Sequence, residues 1–510
     1  MSRRKTIYTT MIFNFLLQIV NFSYKFLITP FLLSAWGNIK YGEWLVIFSF
    51  VTSLSLLNFG IAKFYGNNLR KLYLKDKVDD YKVLFSEAII LALVIFLFIG
   101  VGLFIIIENV NLIEILNITD WPKKDVQLAV FLLGLSIAGS IFLEIISYLY
   151  VSIGKYSVQP LLSSVNLLIQ LCLIIILSYF NFGIVAMSVI VLGSVVTITG
   201  ISLIVFIIKN PELVPNRVFF KIQNILTSIK TSSYFQLITF SQFFILQGSV
   251  LLISHQLGAA TVSLFVITRT ITSGLGRQII QIVNHSIWPE LTSLFAEGNY
   301  EKLRFLHLLI VKISIILVTF FSLFIFLFID DIFCIWLSTD DYLDYNLISL
   351  LLCYLMVLYT WIPSSFVLMA NNNVKYFGLL SFLSSLFFLI LSYLLLPTIG
   401  LYGLIYILII SDFLFMTFFI PKFACSKINE NYWKLLVKIL KLFLPSIILF
   451  IVFNLYLVDR LKYYDVGEKV LFTFIISIFM MLYFIKTSMT SYEKGYVLDI
   501  FNNKYKKGNK

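Results

Sequence analysis

Apolar residues run in blocks of about twenty or more from one end of the chain to the other, without the regular polar interruptions of a helix on a soluble core. The blocks lie at roughly 7–35, 41–68, 83–107, 126–153, 158–180, 184–208, 231–254, 261–289, 304–330, 346–371, 375–396, 400–421, 435–457 and 469–487. Hydrocarbon offers the backbone no hydrogen-bond partners, so each block must satisfy its own N–H and C=O groups, which a helix does within one segment. The pattern predicts an all-α, polytopic membrane protein of about fourteen transmembrane helices.

Polar positions inside the blocks carry the next information. In the first, Asn14, Gln18, Asn21 and Lys25 are spaced 4, 3 and 4 apart. They fall within roughly 60° of arc, so one face of this helix is polar. A Lys near the middle of a span costs about 3 kcal/mol against lipid, and the stripe is expected to line a wet cavity inside a bundle. The alternative is that Lys25 lies near the outer end and reaches the interface along its stem.

The blocks also repeat. Phe182-Gly183-Ile184-Val185-Ala186 separates spans five and six, and Ile399-Gly400-Leu401-Tyr402-Gly403 separates spans eleven and twelve roughly 217 positions later. Trp36-Gly37 matches Leu257-Gly258, and Ile153-Gly154-Lys155-Tyr156 aligns with Ala370-Asn371-Asn372-Asn373. One order at nearly one offset predicts two pseudo-symmetric six-helix bundles. Six being even, both keep one orientation about an axis along the membrane normal, with a binding site expected where the repeats meet. The expected organisation is an N-terminal bundle over 1–208, a cytoplasmic linker over 209–230 and a second bundle over 231–422. Two additional spans over 423–487 and a basic cytoplasmic tail over 488–510 follow.

Composition agrees: 60% of residues are hydrophobic, 13% are charged, and the mean hydropathy is +0.96, leaving no stretch for a soluble domain. The net charge of +12 reads as topology. Arg3, Arg4, Lys5, Arg70, Lys71, Lys155, Lys209, Lys302, Arg304, Lys422, Lys427, Lys434 and the tail fall on one side. Glu108, Glu114, Asp120, Asp330, Asp331 and Asp341 fall on the other. Both termini are thereby placed in the cytoplasm, and Ser2-Arg3-Arg4-Lys5 opens an uncleaved signal anchor. No folded basic surface remains for nucleic acid. The four cysteines, Cys172, Cys334, Cys353 and Cys425, have neither metal nor disulfide spacing and read as apolar filler, so no metal site and no cofactor is expected.

Span two carries Ser49, Ser53, Gly60, Lys63 and Asn67 on one face, with Lys63 either an interface anchor or a cavity residue. Span seven carries Ser232, Gln236, Thr239 and Gln247 along one side, and span eight carries Arg269, Ser273, Arg277, Gln281 and Asn284. An Arg inside a span needs a counter-charge, a carbonyl or water. If the first two spans of each half meet, Lys25, Arg269 and Arg277 share one chamber, and a cationic chamber calls for an anion, phosphate above all. The intramembrane acids are Glu144 and Asp412, read either as ion-coupling sites or as partners for a cation. His255 and His285 read as interface residues. No phosphate-cradling glycine loop, nucleophile elbow or paired-His motif occurs, so no enzyme is expected.

The run Phe31-Leu32-Leu33-Ser34-Ala35-Trp36-Gly37-Asn38-Ile39-Lys40-Tyr41-Gly42-Glu43-Trp44 resembles the opening of bacterial O-antigen and capsular polysaccharide flippases. Asn58-Phe59-Gly60-Ile61 resembles their aspartate-leucine-glycine element, with Asn58 in place of the acid, and Trp288-Pro289-Glu290-Leu291 resembles the end of their span eight. These proteins share a superfamily with multidrug exporters and lipid II flippases. The resemblance implies a V-shaped, alternately opening fold in a bacterial plasma membrane. It also implies an undecaprenyl-pyrophosphate-linked oligosaccharide as passenger, membrane lipids around it, and a polysaccharide polymerase and chain-length regulator as partners. H+ or Na+ would be the coupling ion. Lys25, Arg269 and Arg277 are then the expected pyrophosphate ligands, and Asn14, Gln18, Asn21 and Gln236 the sugar contacts. A multidrug-type exporter of small molecules is the alternative.

Overall fold

The computed structural model describes residues 3–58, 61–180, 182–215, 234, 236–339, 341–371, 373–456 and 467–471. Among these the regular structure is helical, with no strand. The first seven helices are α1 (Arg3–Thr52), α2 (Ile61–Leu74), α3 (Val78–Asn109), the short α4 (Leu112–Leu116), α5 (Lys123–Ser152), α6 (Val158–Ser178) and α7 (Ile184–Lys209). Then come α8 (Gln236–Leu257), α9 (Ala259–Arg269), α10 (Leu275–Glu297), α11 (Tyr300–Leu327) and α12 (Ile329–Leu337). The last are α13 (Tyr345–Ala370), α14 (Lys375–Asp412), α15 (Phe419–Lys427) and α16 (Tyr432–Tyr456). Among the described residues 11 helical segments are long and apolar enough to cross a membrane. Most of the predicted last span, 472–487, lies outside the described residues, as does most of the predicted linker.

Two of the 11 segments are doubled. In α1, Thr29 Oγ1 and Tyr41 Oη lie 3.2 Å apart, whereas a straight helix would separate residues that far apart in sequence by about 18 Å. The chain folds back at Gly37 (φ 74°, ψ 177°). Gly258 between α8 and α9 (φ 86°, ψ 167°) and Gly400 within α14 (φ 63°, ψ −163°) adopt the same conformation, a region open in practice to glycine alone. The predicted pairing of Gly37 with Gly258 is thus a conformational match. Gly183, paired with Gly400 by sequence, is instead extended (φ −76°, ψ −179°).

Span two, expected to be continuous over 41–68, is interrupted. Helix α1 stops at Thr52, a 3-10 turn covers Ser53–Asn58, and α2 begins at Ile61. The local cause is side chains competing for backbone groups: Thr52 Oγ1 donates to Ser49 O at 2.9 Å and Ser55 Oγ to Thr52 O at 2.7 Å.

Packing divides the chain into two compact units, Met1–Ile267 with Ser381–Leu404, and Thr268–Leu380 with Ile405–Lys510. In the first, α5 is the centre, held by α2, α3 and α7. Phe206 of α7 stands edge-on to Phe85 and Tyr150, with centroids 5.8 and 5.2 Å away. The doubled hairpin of α1 crosses α9 at backbone contact: a Cβ on Gly42 would fall 2.0 Å from Ala259 O. Ser263 Oγ donates to Asn38 O at 2.7 Å across the same crossing. Small residues at such a crossing let dispersion and polar contacts replace the hydrophobic drive that lipid cannot supply. In the second unit, α13 is buried on most of its surface and packs against α10, α11, α15 and α16.

Candidate functional site

The second unit brings together Arg269 of α9, Arg277 of α10, Tyr354 of α13 and Asp412 of α14. A π-turn, Thr270–Gly274, joins α9 to α10. A π-turn absorbs one extra residue, so the helix beyond it is rotated back by about 100°. An uninterrupted helix would set Arg269 and Arg277 about 80° apart; the π-turn brings them within about 20°. Gly276 seats the helix: a Cβ there would lie 2.4 Å from Leu355 Cδ2 and 2.8 Å from Phe321 Cε1.

Arg277 consequently stands over the Tyr354 ring, Cζ 5.7 Å from its centroid. Its Nη2 donates a long bond of 3.4 Å to Tyr354 Oη, and Tyr359 Oη donates to the Arg277 carbonyl at 3.2 Å. Tyr354 donates onward to the Asp412 carboxylate. Asp412 is 3% exposed and sits immediately before another π-turn, Phe413–Thr417. Arg277 and Asp412 thus meet at the Tyr354 hydroxyl, which accepts from the one and donates to the other. Arg277 Nε–H is buried and has no acceptor among the described residues. Such an unpaired donor costs about 1–3 kcal/mol, and an oxyanion that takes two N–H groups of the guanidinium fork would remove that cost.

The first unit holds the other predicted acid. Where span two breaks, Asn58 Nδ2 donates to Glu144 Oε2 of α5 at 2.6 Å. Among the described residues Asn58 Oδ1 is buried without a donor, so an amide oxygen and a carboxylate adjoin at the break. Gln236 Nε2 donates to the Leu56 carbonyl at 2.8 Å, satisfying a backbone oxygen that the interrupted helix releases. Ser49 Oγ donates to Gln247 Oε1 at 2.7 Å. The polar faces of spans two and seven thus meet partly in each other.

Lys25 and Asn14 are exposed, and Gln18 and Asn21 half-buried, on the arm of α1 before Gly37. That stripe belongs to the first unit, Arg269 and Arg277 to the second. Lys63 is in α2 with its side chain outside the described residues, like those of Gln281, Asn284 and His285. Glu43 and Glu87, which the sequence reading did not single out, are also buried. Glu43 Oε1 accepts from Thr119 N (2.5 Å), Thr119 Oγ1 (3.0 Å) and Asp120 N (2.8 Å), and Oε2 from Trp121 N (3.2 Å). It clips the loop after α4 onto the hairpin, so its role is structural. Lys312 and His307 of α11, both buried, were also missed. Each lies inside an apolar block, and a charged residue in a long apolar block was the available signal.

No protein-family model and no curated protein sequence matches the chain. Solved structures do. An inward-facing conformation of a multidrug resistance MATE family transporter of the MOP superfamily matches with a TM-score of 0.67 at 16% identity, over 80% of this chain and 94% of that one. The MATE multidrug transporter DinF-BH, solved as a complex, matches with a TM-score of 0.63 at 16% identity, over 84% and 98%. A MOP superfamily transporter from Pyrococcus furiosus, described as having a binding pocket of reverse polarity that suggests a different function, matches with a TM-score of 0.59 at 17% identity, over 83% and 96%. The chain therefore has the fold of the MATE transporters of the MOP superfamily.

Proposed function

We propose that the chain is a membrane transporter for an anionic, lipid-linked passenger, a polyprenyl-pyrophosphate-linked oligosaccharide repeat unit of a surface polysaccharide. The observation that supports this reading is the Arg277 guanidinium, set on nearly the same side of the helix as Arg269 by the π-turn, with its buried Nε–H unanswered among the described residues. A pyrophosphate oxygen would answer that N–H with a charge-assisted bond. In this reading Asn14, Gln18, Asn21 and Lys25 present a polar stripe to sugar hydroxyls, and Glu144 or Asp412 carries H+ or Na+. Lys63 and Gln236 are secondary contacts. Bacterial inner-membrane residence and partnership with a polymerase and chain-length regulator belong to the same proposal. The second reading, a small-molecule exporter, is supported by the multidrug transporters of the same fold.

A strain lacking the chain separates the two. Loss of surface polysaccharide with unchanged drug sensitivities supports the lipid-linked passenger; new drug sensitivities with intact polysaccharide overturn it. Arg277→Ala, assayed at equal expression, is expected to fail to restore polysaccharide.

A further inference from the structure

His307, Cys425 and Glu430 meet at one end of the second unit, outside the site described above. We propose that they form a binding site for a transition-metal cation of the zinc class. His Nδ1, Cys Sγ and a Glu carboxylate oxygen all lie within 4.8 Å of one another. His307 Nδ1 is 3.1 Å from Glu430 Oε2, and Cys425 Sγ is 3.9 Å from the same oxygen. Tetrahedral zinc with bonds of about 2.0–2.3 Å sets its ligand atoms roughly 3.3–3.7 Å apart, so the three donors stand near the corners of one coordination shell. A thiol beside an imidazole selects against Mg2+ and Ca2+, which take oxygen ligands.

The donors are built into place. Helix α15 ends at Lys427, Glu430 N and Ile428 N both return to Cys425 O (2.9 and 3.2 Å), and Asn429 takes a left-handed φ of 53°. That turn folds Glu430 back beside Cys425. Arg304 of α11 donates to Asn429 O at 3.1 Å, fixing the turn against the helix that carries His307. The far nitrogen, His307 Nε2, is 2.9 Å from Ser364 Oγ of α13, the orienting contact that metal-bound histidines characteristically make with a neighbouring polar group. His307 and Cys425 are buried and the Glu430 side chain is 12% exposed, and three protein ligands would leave the fourth corner of the tetrahedron for water. A bound cation would tie the turn between α15 and α16 to α11 and α13.

The test uses the full chain in detergent, stripped with chelator and dialysed against Zn2+ or Mg2+. Expected are about one Zn2+ per chain by elemental analysis, a raised unfolding midpoint with Zn2+ alone, and a thiolate-to-metal band when Co2+ is the probe. Cys425→Ser should abolish the band, Glu430→Gln should weaken Zn2+ by tenfold or more, and Ser364→Ala by about tenfold. Wild-type protein that holds no Zn2+ above the Mg2+ control, or binds Co2+ without the thiolate band, overturns the proposal, and neither result depends on a variant that folds.

Discussion

At the scale of single residues, the acids within the helical segments divide into those that hold the fold and those that have work left over. Glu43 belongs to the first kind, because both its oxygens are occupied by the loop 119–121. Glu43→Gln turns one acceptor into an NH2 group that faces the N–H groups of this loop, and it should cost about 1–3 kcal/mol. The measurement is the thermal midpoint in detergent, with Glu108→Gln, at an exposed position, as the control that does not move. Glu144 belongs to the second kind: its partner at the break is Asn58, whose own oxygen is unanswered. Glu144→Gln keeps the shape and removes the charge. Transport driven by an imposed proton or sodium gradient should then stop responding to the gradient, while binding of the passenger persists; an unchanged response would clear Glu144 of coupling. Neither partnership was legible in the sequence, since Thr119 lies 76 positions from Glu43 and Glu144 lies 86 from Asn58.

At the scale of elements, the reversals and the irregular turns set the geometry. Gly37 and Gly258 have open space where a Cβ would stand, with no atom within 4 Å, so alanine there meets nothing and pays in backbone strain alone, about 1–3 kcal/mol. Gly42 is the opposite case: its backbone is helical, but a Cβ would fall 2.0 Å from Ala259 O. Gly42→Ala must force α1 and α9 apart and should lower the thermal midpoint more than Gly37→Ala does. Equal losses would mean that the crossing yields freely. The glycines were visible in the sequence as Trp36-Gly37 and Leu257-Gly258, because only glycine tolerates the conformation they adopt. The π-turns were not. Thr270–Gly274 carries ordinary helix formers and breakers, and its effect, rotating Arg277 toward Arg269, follows from a hydrogen-bond register that composition does not encode. The break at Ser53–Asn58 left a fainter trace in its two serines and its asparagine.

At the scale of the whole chain, the all-helical class and the many apolar spans were legible because lipid permits a spanning backbone few alternatives, whereas the residues that meet inside each unit depend on packing between distant segments. Orientation can be argued from the second unit by itself. Helix α11 has 28 residues and a length of about 42 Å. Lys302 and Arg304 lie at its start, where Arg304 bonds the turn that Lys427 and Lys434 flank. Asp330 and Asp331 lie just past its end, where Asp331 Oδ2 holds Lys469 Nζ at 2.6 Å. Cations and acids are thus separated by the length of a bilayer along one helix, and cations are retained on the cytoplasmic side. Cys334 is exposed beside the acids, and Asn429 is exposed beside the cations. With the other cysteines replaced by alanine, a membrane-impermeant maleimide should label Cys334 in intact cells. In a second chain, with Cys334 also replaced and Asn429→Cys introduced, it should label position 429 only after permeabilisation. The reverse pattern would turn the molecule over, leaving Arg277 and Asp412 where they are but presenting them to the passenger from the opposite face of the membrane.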